Sequence, residues 1–141
     1  MGIRTEKWNV AFRPASDFRR TDNPYRKIPG DAGGWYADPF LLKKDGALWL
    51  FAEYFSYRFG RGLISCCRFD AEKQCFSAWK EVLCEPFHLS YPQVFCRGED
   101  VYMLPETGEA GQLLLYRAVS FPDRWEKCAV LQKDVRWVDA T

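Results

Sequence analysis

A segment that occurs twice constrains the fold of this chain more than any other feature of its sequence. Residues 38–53 recur as residues 91–106 at a constant offset of 53. Apolar residues alternate or cluster in short stretches within each copy, as in β-strands, and Asp45-Gly46 between two such stretches is a hairpin signal. A period of about 50 residues built from short strands is typical of a β-propeller, in which four-stranded sheets repeat around an axis. The repeat therefore predicts an all-β fold of the propeller type.

The repeat also divides the chain into segments. We predict an N-terminal strand and connecting loop over residues 1–34, a first blade over 35–87, a second blade over 88–136 and the start of a truncated third blade over 137–141. A ring of four to eight blades needs on the order of 200 residues or more, whereas this sequence has 141. We therefore expect a partial propeller of about two four-stranded blades plus flanking strands. The remaining blades would come from a longer chain or from self-association.

Composition and charge exclude several classes of partner. With 20 basic and 19 acidic residues the net charge is +1, which favours neither nucleic acid nor an anionic membrane. Arg19-Arg20 and the pair Arg58 and Arg61 are interpreted as solvated loop charges rather than as a binding stripe. No apolar run approaches the length of a membrane span, and residues 1–5 are not followed by the apolar core of a signal peptide. A cytoplasmic location is expected.

Six cysteines raise the question of disulfides or of a metal site. The sequence contains no Cys-x-x-Cys pair and one histidine, His88, so we predict neither a metal site nor a cofactor. Without a secretory signal, reduced cysteines that act as small buried hydrophobic residues are the favoured interpretation. A Cys–His nucleophile pair is an alternative that the spacing does not favour.

Candidate catalytic or binding residues lie where the copies begin. Asp38, Tyr91 and Asp139 hold equivalent positions in successive copies. The innermost strand of each blade lines the channel of a propeller, so we expect these three residues to converge on the axis. The structural alternative is that Asp38 and the proline after it, and likewise Tyr91, only shape the start of an innermost strand.

Two glutamates end the second strand of their copies. In an antiparallel hairpin this end returns toward the start of the first strand, so we expect Glu53 beside Asp38 and Glu106 beside Tyr91. Both glutamates are candidates for a functional carboxylate. The alternative for each is a structural hydrogen bond to backbone or to a tyrosine.

The order of these residues resembles a known family. Ala37-Asp38-Pro39-Phe40, followed by a turn and residues 48–53, resembles the first blade of the five-bladed propellers of glycoside hydrolase families 43 and 32. A longer series is similar to the propeller domain at the N-terminus of plant glucosaminyl inositolphosphorylceramide transferases and of bacterial relatives. The series comprises His88-Leu89-Ser90-Tyr91-Pro92, residues 102–106, Leu115-Tyr116-Arg117, Phe121-Pro122 with Trp125, and Asp139 with Thr141. The resemblance covers residues 35–141.

The hydrolase resemblance implies a channel with three carboxylates, two of which act as base or nucleophile and as acid on a glycosidic bond. On this resemblance Asp38 matches the base. Tyr91 and Asp139 stand where an aspartate and a glutamate are expected, so another carboxylate would have to fill in, and Glu106 and Glu53 are the candidates. The catalytic set implied is thus Asp38, Glu106 and Asp139.

Three functions stay open. The first is recognition of a glycan or glycolipid head group by an accessory domain of a sugar-modifying protein, which the plant architecture favours. The second is an active glycoside hydrolase that uses Asp38, and the third is a purely structural module. In the first two cases the residues expected to bind the sugar are Trp35, Tyr36, Glu53, His88 and Tyr91.

Overall fold

The computed structural model describes residues 7–17 and 19–140, in which antiparallel strands are the main regular structure. The strands are β1 (Ala11–Phe12), β2 (Arg26–Lys27), β3 (Gly34–Lys44), β4 (Ala47–Ser56), β5 (Arg61–Asp70), β6 (Cys75–Phe76), β7 (Lys80–Leu83), β8 (Ser90–Arg97), β9 (Asp100–Glu106), β10 (Gln112–Ser120) and β11 (Arg124–Lys133). Two short 3₁₀ turns lie at Ala15–Asp17 and Gly108–Ala110. The prediction of an all-β chain is confirmed.

The described residues contain no helix that is long and apolar enough to cross a membrane. Residues 1–5, the segment relevant to a signal peptide, lie outside the described part of the chain. So does Thr141, the last residue of the predicted third blade.

The strands form three separate sheets. The N-terminal ribbon consists of β1 and β2. The first sheet has the order β3-β4-β5, with β6 and β7 both paired to the free edge of β5, and the second sheet has the order β8-β9-β10-β11. Asp45-Gly46 forms the predicted hairpin turn between β3 and β4, with φ of 51° and 73°, as a two-residue loop of this kind requires.

A β-bulge interrupts the pairing of β3 with β4. Ala37 pairs with Glu53, but the next pair is Phe40 with Phe51, so two residues of β3 face one residue of β4. The first residue of the bulge is Asp38, whose φ is 50°. The positive φ turns the chain sharply at the point where β3 meets the end of β4.

The second sheet contains the same bulge at the equivalent place. Ser90 pairs with Glu106, and the next pair is Gln93 with Leu104. Each of these four positions lies 53 residues after its counterpart in the first sheet. Tyr91, the first residue of this bulge, has a φ of 47°. The sequence repeat is therefore also a repeat of backbone geometry.

The first and second sheets pack face to face, and their first strands lie side by side. β3 and β4 contact β8, while β7 contacts β11 at the other edge. The core between them includes Phe51 and Ile64 of the first sheet and Met103 and Tyr116 of the second, all buried. Burial of such side chains contributes about 1.5 to 3 kcal/mol each, so this interface contributes substantially to stability.

The N-terminal ribbon and the residues next to it cover the opposite face of the first sheet. Val10 and Ile28 are buried there against Leu50, Leu63 and Cys67. No described residue covers the equivalent face of the second sheet in this way, and several of its large apolar side chains are exposed. They are Phe95, Val119, Val130 and Leu131.

All six cysteines are free. Cys66 and Cys67 are buried on opposite faces of β5, because both faces of this central strand are covered. The expectation that the cysteines act as buried hydrophobic residues is confirmed for these two. It is wrong for four others, which lie in edge strands, near a turn or in a loop and are exposed: Cys75, Cys84, Cys96 and Cys128.

Candidate functional site

Asp38, Tyr91 and Asp139 share an unusual backbone conformation. Their φ values are 50°, 47° and 49°. This left-handed conformation costs a residue other than glycine about 1 to 2 kcal/mol, so it persists only where the surroundings enforce it. The three residues hold equivalent positions at an offset of 53 or 48 in the sequence, and the structure gives them the same sign of φ.

At each junction between copies a carboxylate accepts a backbone hydrogen bond. The N–H of Tyr91 donates to Asp38 Oδ2 at 3.3 Å. The N–H of Asp139 donates to Glu106 Oε2, also at 3.3 Å. Tyr91 holds the position of Asp38 in the second copy but has no carboxylate, and Glu106 at the adjacent strand end supplies one instead.

Glu53 is a buried carboxyl at the centre of this group. Its side chain is 6% exposed, and its Oε1 accepts no hydrogen bond from the described residues. Burial raises the pKa of Glu53 to about 8, with smaller contributions from the negative charges of Asp38 and Glu106 and from a hydrogen bond to Asp38. Two carboxyls share a hydrogen bond only when one of them is protonated. With a pKa of about 8, Glu53 is mostly protonated at neutral pH.

His88 lies against the other side of Glu53. Its Nδ1 accepts the backbone N–H of Gly62 at 2.9 Å, so the ring proton of the neutral imidazole resides on Nε2. Nε2 lies 3.5 Å from Glu53 Oε1. The backbone N–H of His88 donates to the Glu109 carboxylate, which fixes the loop that carries the ring.

A pocket of about 550 Å³ opens beside Asp38, between β3 and the N-terminal segment. Its walls are residues 8–11, residues 35–39 and Glu53. Trp35 stacks on Phe55, with 4.9 Å between ring centroids and 4° between planes, which holds the indole in a fixed orientation. An indole beside carboxyl groups offers a flat apolar surface together with hydrogen-bond acceptors.

The predicted sugar-binding and catalytic residues divide into two groups. Those that line the pocket are Trp35, Tyr36, Asp38 and Glu53. Those that do not line it are His88, Tyr91, Glu106 and Asp139. The second group adjoins the first. Tyr91 donates its backbone N–H to Asp38, and His88 lies against Glu53. The negative charge of Glu106 also acts on Glu53.

Tyr36 is less accessible to a sugar than we predicted from the sequence. Its ring stacks on Tyr54 at 4.8 Å and on Trp79 at 4.4 Å, and the residue is 5% exposed. The two neighbouring rings leave no open ring face for a sugar. The alternation of residues in a strand predicts that Trp35 and Tyr36 point to opposite faces, but it does not predict which face is covered.

Trp8 was missed as a pocket residue. It lines the pocket, is 57% exposed, and its carbonyl accepts the N–H of Tyr36 at 3.4 Å. The sequence places Trp8 in an N-terminal strand and carries no signal for its position beside Asp38, because that contact joins segments distant in the chain.

The described residues include no group of three or more His, Cys, Asp or Glu side chains arranged to hold a metal ion. The carboxyls of Asp38 and Glu53, which both line the pocket, offer hydrogen-bonding groups to a ligand. Such a pair accepts hydrogen bonds from hydroxyl or ammonium groups and donates one proton.

Comparison with known proteins identifies the family. A family profile described as glucosamine inositolphosphorylceramide transferase 1, N-terminal, matches residues 26–141. The chain is 38% identical over 104 residues to glucosamine inositolphosphorylceramide transferase 1 of Arabidopsis thaliana and 35% identical over 96 residues to the protein of that name from Oryza sativa subsp. indica. These matches cover 74% and 68% of the chain but only 14% and 13% of the relatives. The chain thus belongs to the family of N-terminal domains of glucosamine inositolphosphorylceramide transferase 1.

Proposed function

We propose that this domain recognises the sugar of a glycan or glycolipid head group in the pocket beside Asp38. The observation that carries the proposal is the pair of Asp38 and Glu53 carboxyls next to the fixed indole of Trp35. A sugar presents an apolar ring face that stacks on an indole and hydroxyl groups that donate to carboxylates. The pocket volume of about 550 Å³ lies within the range of small-ligand sites.

The relatives support this assignment through their names, which refer to glucosamine and to inositolphosphorylceramide. Glucosamine is a sugar, and inositolphosphorylceramide is a lipid whose head group contains the polyol inositol. Because the matched segment is a small part of each relative, the domain would act as an accessory that holds such a head group while another part of a longer protein carries out the transfer.

The same proposal includes the architecture. We infer that the first and second sheets are two blades of a five-bladed propeller of the type found in glycoside hydrolase families 43 and 32. Supporting features are the matching bulges, the adjacent first strands, the positive φ of Asp139 and the uncovered face of the second sheet. Further blades, from a longer chain or from other copies, would cover that face.

Glycoside hydrolysis is the second candidate, favoured by the raised pKa of Glu53 beside a second carboxyl, that of Asp38, since a glycosidase needs one acid and one base. However, catalytic carboxyls lie about 5 to 9.5 Å apart to flank a glycosidic bond. Glu53 pairs with Ala37, directly before Asp38, so its carboxyl lies beside that of Asp38 instead of across a substrate from it. A hydrolase would therefore need Glu106 or Asp139 as the partner of Asp38. Recognition requires no second catalytic group, and we prefer it.

Calorimetric titration with glucosamine and with inositol-containing glycans tests the recognition function. Asp38→Asn should weaken binding about tenfold, because it removes a charged acceptor. Asp45→Asn is a matched control, since Asp45 lies on the same strand hairpin with a φ of 51°. Absence of binding, or equal effects of the two changes, would count against the proposal. Turnover of nitrophenyl glycosides that Asp38→Asn abolishes would favour the hydrolase instead.

A further inference from the structure

The hairpin that joins β4 to β5 projects past the site. β4 continues beyond Glu53 to Ser56, whereas β9 ends at the equivalent Glu106. The exposed residues at the tip of this hairpin include two aromatic side chains, Tyr57 and Phe59, each 42% exposed. We refer to residues 57–61 as the aromatic hairpin.

Three cations surround these two rings. The guanidinium carbons of Arg58 and Arg61 lie 5.3 and 5.2 Å from the centroid of the Phe59 ring. Lys7 Nζ lies 5.7 Å from the centroid of the Tyr57 ring. Among the described residues, no carboxylate lies within ion-pair distance of any of the three cations. Lys7 and the aromatic hairpin therefore form a region of local positive charge, although the net charge of the whole chain is only +1.

The aromatic hairpin is continuous with the pocket. The ring of Tyr57 contacts Phe55 at 6.4 Å, and Phe55 stacks on Trp35 of the pocket wall at 4.9 Å. On the other side, Lys7 directly precedes Trp8, which also lines the pocket. The cations thus form a basic rim on a pocket whose wall is acidic.

We propose that the aromatic hairpin binds the phosphate groups of anionic lipids at a membrane surface and so brings the pocket to a sugar head group presented there. This inference rests on the function proposed above. Guanidinium groups match phosphate oxygens in geometry and charge. Exposed aromatic side chains favour the boundary between water and lipid, which is the reason to prefer a membrane surface over a soluble phosphate.

The experiment is sedimentation of the 141-residue chain with vesicles of phosphatidylcholine, with and without phosphatidylinositol. We expect binding to the anionic vesicles and little to the neutral ones. Each arginine near an anionic surface contributes about fivefold to partitioning, so Arg58→Gln should reduce it about fivefold and the double change with Arg61→Gln about 25-fold. Arg61 Nε also donates to the Glu85 carbonyl at 2.9 Å, so the single Arg58→Gln variant gives a result even if the double variant does not fold.

Arg68→Gln is the matched control, because Arg68 is an exposed arginine over the Trp49 ring at the far end of the same strand β5. It should leave partitioning unchanged. Equal binding to neutral vesicles, an effect of Arg68→Gln as large as that of Arg58→Gln, or binding of soluble inositol phosphate without binding to vesicles would overturn the proposal. Asp38→Asn separates the two functions, since it should weaken sugar binding and leave vesicle partitioning intact.

Discussion

The backbone N–H of Tyr91 donates a hydrogen bond to the carboxylate of Asp38, 53 residues earlier in the chain and at the equivalent position of the preceding sheet. Both residues hold a left-handed backbone conformation at a β-bulge. The bond therefore joins the two bulges directly and ties the first strands of two sheets together at the mouth of the candidate site. Burial is the main cause of the raised pKa of Glu53, and the Asp38 carboxyl adds to it, so one side chain contributes to both the fold and the site.

This double role predicts that Asp38→Ala destabilises the chain more than Asp38→Asn. Asparagine tolerates the left-handed conformation and keeps an acceptor oxygen, whereas alanine does neither. We expect a loss of about 2 kcal/mol in the free energy of unfolding for alanine and less than half of this for asparagine. Urea denaturation of both variants measures the difference. Equal losses would show that neither the conformation nor the hydrogen bond matters for stability.

The buried Glu53 predicts a pH dependence of stability. Its pKa is about 8 in the folded chain, against an ordinary value of 4.5 that we expect after unfolding. The folded state thus binds more protons between these values, so its stability is fully present below about pH 4.5 and falls as the pH rises toward 8. The contribution changes by about 1.4 kcal/mol for each pH unit in this window.

Urea denaturation between pH 5 and pH 8 of the original chain and of Glu53→Gln checks this expectation. The glutamine variant should lack the fall, and the exposed Glu99→Gln should retain it. If the free energy of unfolding of Glu53→Gln still fell as the pH rose, another titrating group would be responsible.

The close approach at Gly62 predicts that even a methyl group is not tolerated there. A Cβ at this position would lie 2.2 Å from the carbonyl oxygen of Leu89 and 2.8 Å from Glu53 Oε1. Gly62→Ala should cost about 3 kcal/mol or more, because backbone has to move. Gly108→Ala, whose nearest contact would be 3.2 Å, should cost clearly less in thermal denaturation. A neutral Gly62→Ala would mean that the loop carrying His88 shifts freely.

The two classes of cysteine predict the outcome of thiol titration. Burial raises the pKa of Cys66 to about 12 and raises that of Cys67 as well, so neither forms a thiolate in the folded chain. Four thiols should react with dithionitrobenzoate in the native chain and all six after denaturation. Rapid reaction of six thiols without denaturant would contradict the burial of β5.

Much of the backbone geometry could be predicted from the sequence. The repeat at an offset of 53 appears again in the matching bulges, and Asp45-Gly46 forms the hairpin that its residue types indicate. Antiparallel pairing brings Glu53 back to the bulge at Asp38, as the hairpin geometry requires. These relations are local, because each depends on residues within one sheet.

The features of the site that could not be predicted depend on contacts between segments distant in the chain. Alternation along β3 separates Trp35 from Tyr36, but only the packing of Trp79 shows that Tyr36 is enclosed. The proximity of Lys7 to Tyr57 and the burial of Glu53 likewise arise from segments far apart in the chain. A single sequence carries no signal for such contacts.

The most direct test of sugar recognition follows the indole N–H signals in a proton–nitrogen correlation spectrum while glucosamine or an inositol-containing glycan is added. The signals of Trp8 and Trp35 should shift in a saturable manner, because both side chains line the pocket. The signal of Trp125, which is buried and donates to the Pro122 carbonyl at 2.8 Å, should stay in place. Unchanged Trp8 and Trp35 signals at saturating sugar, or an equal shift of Trp125, would contradict a sugar site beside Asp38.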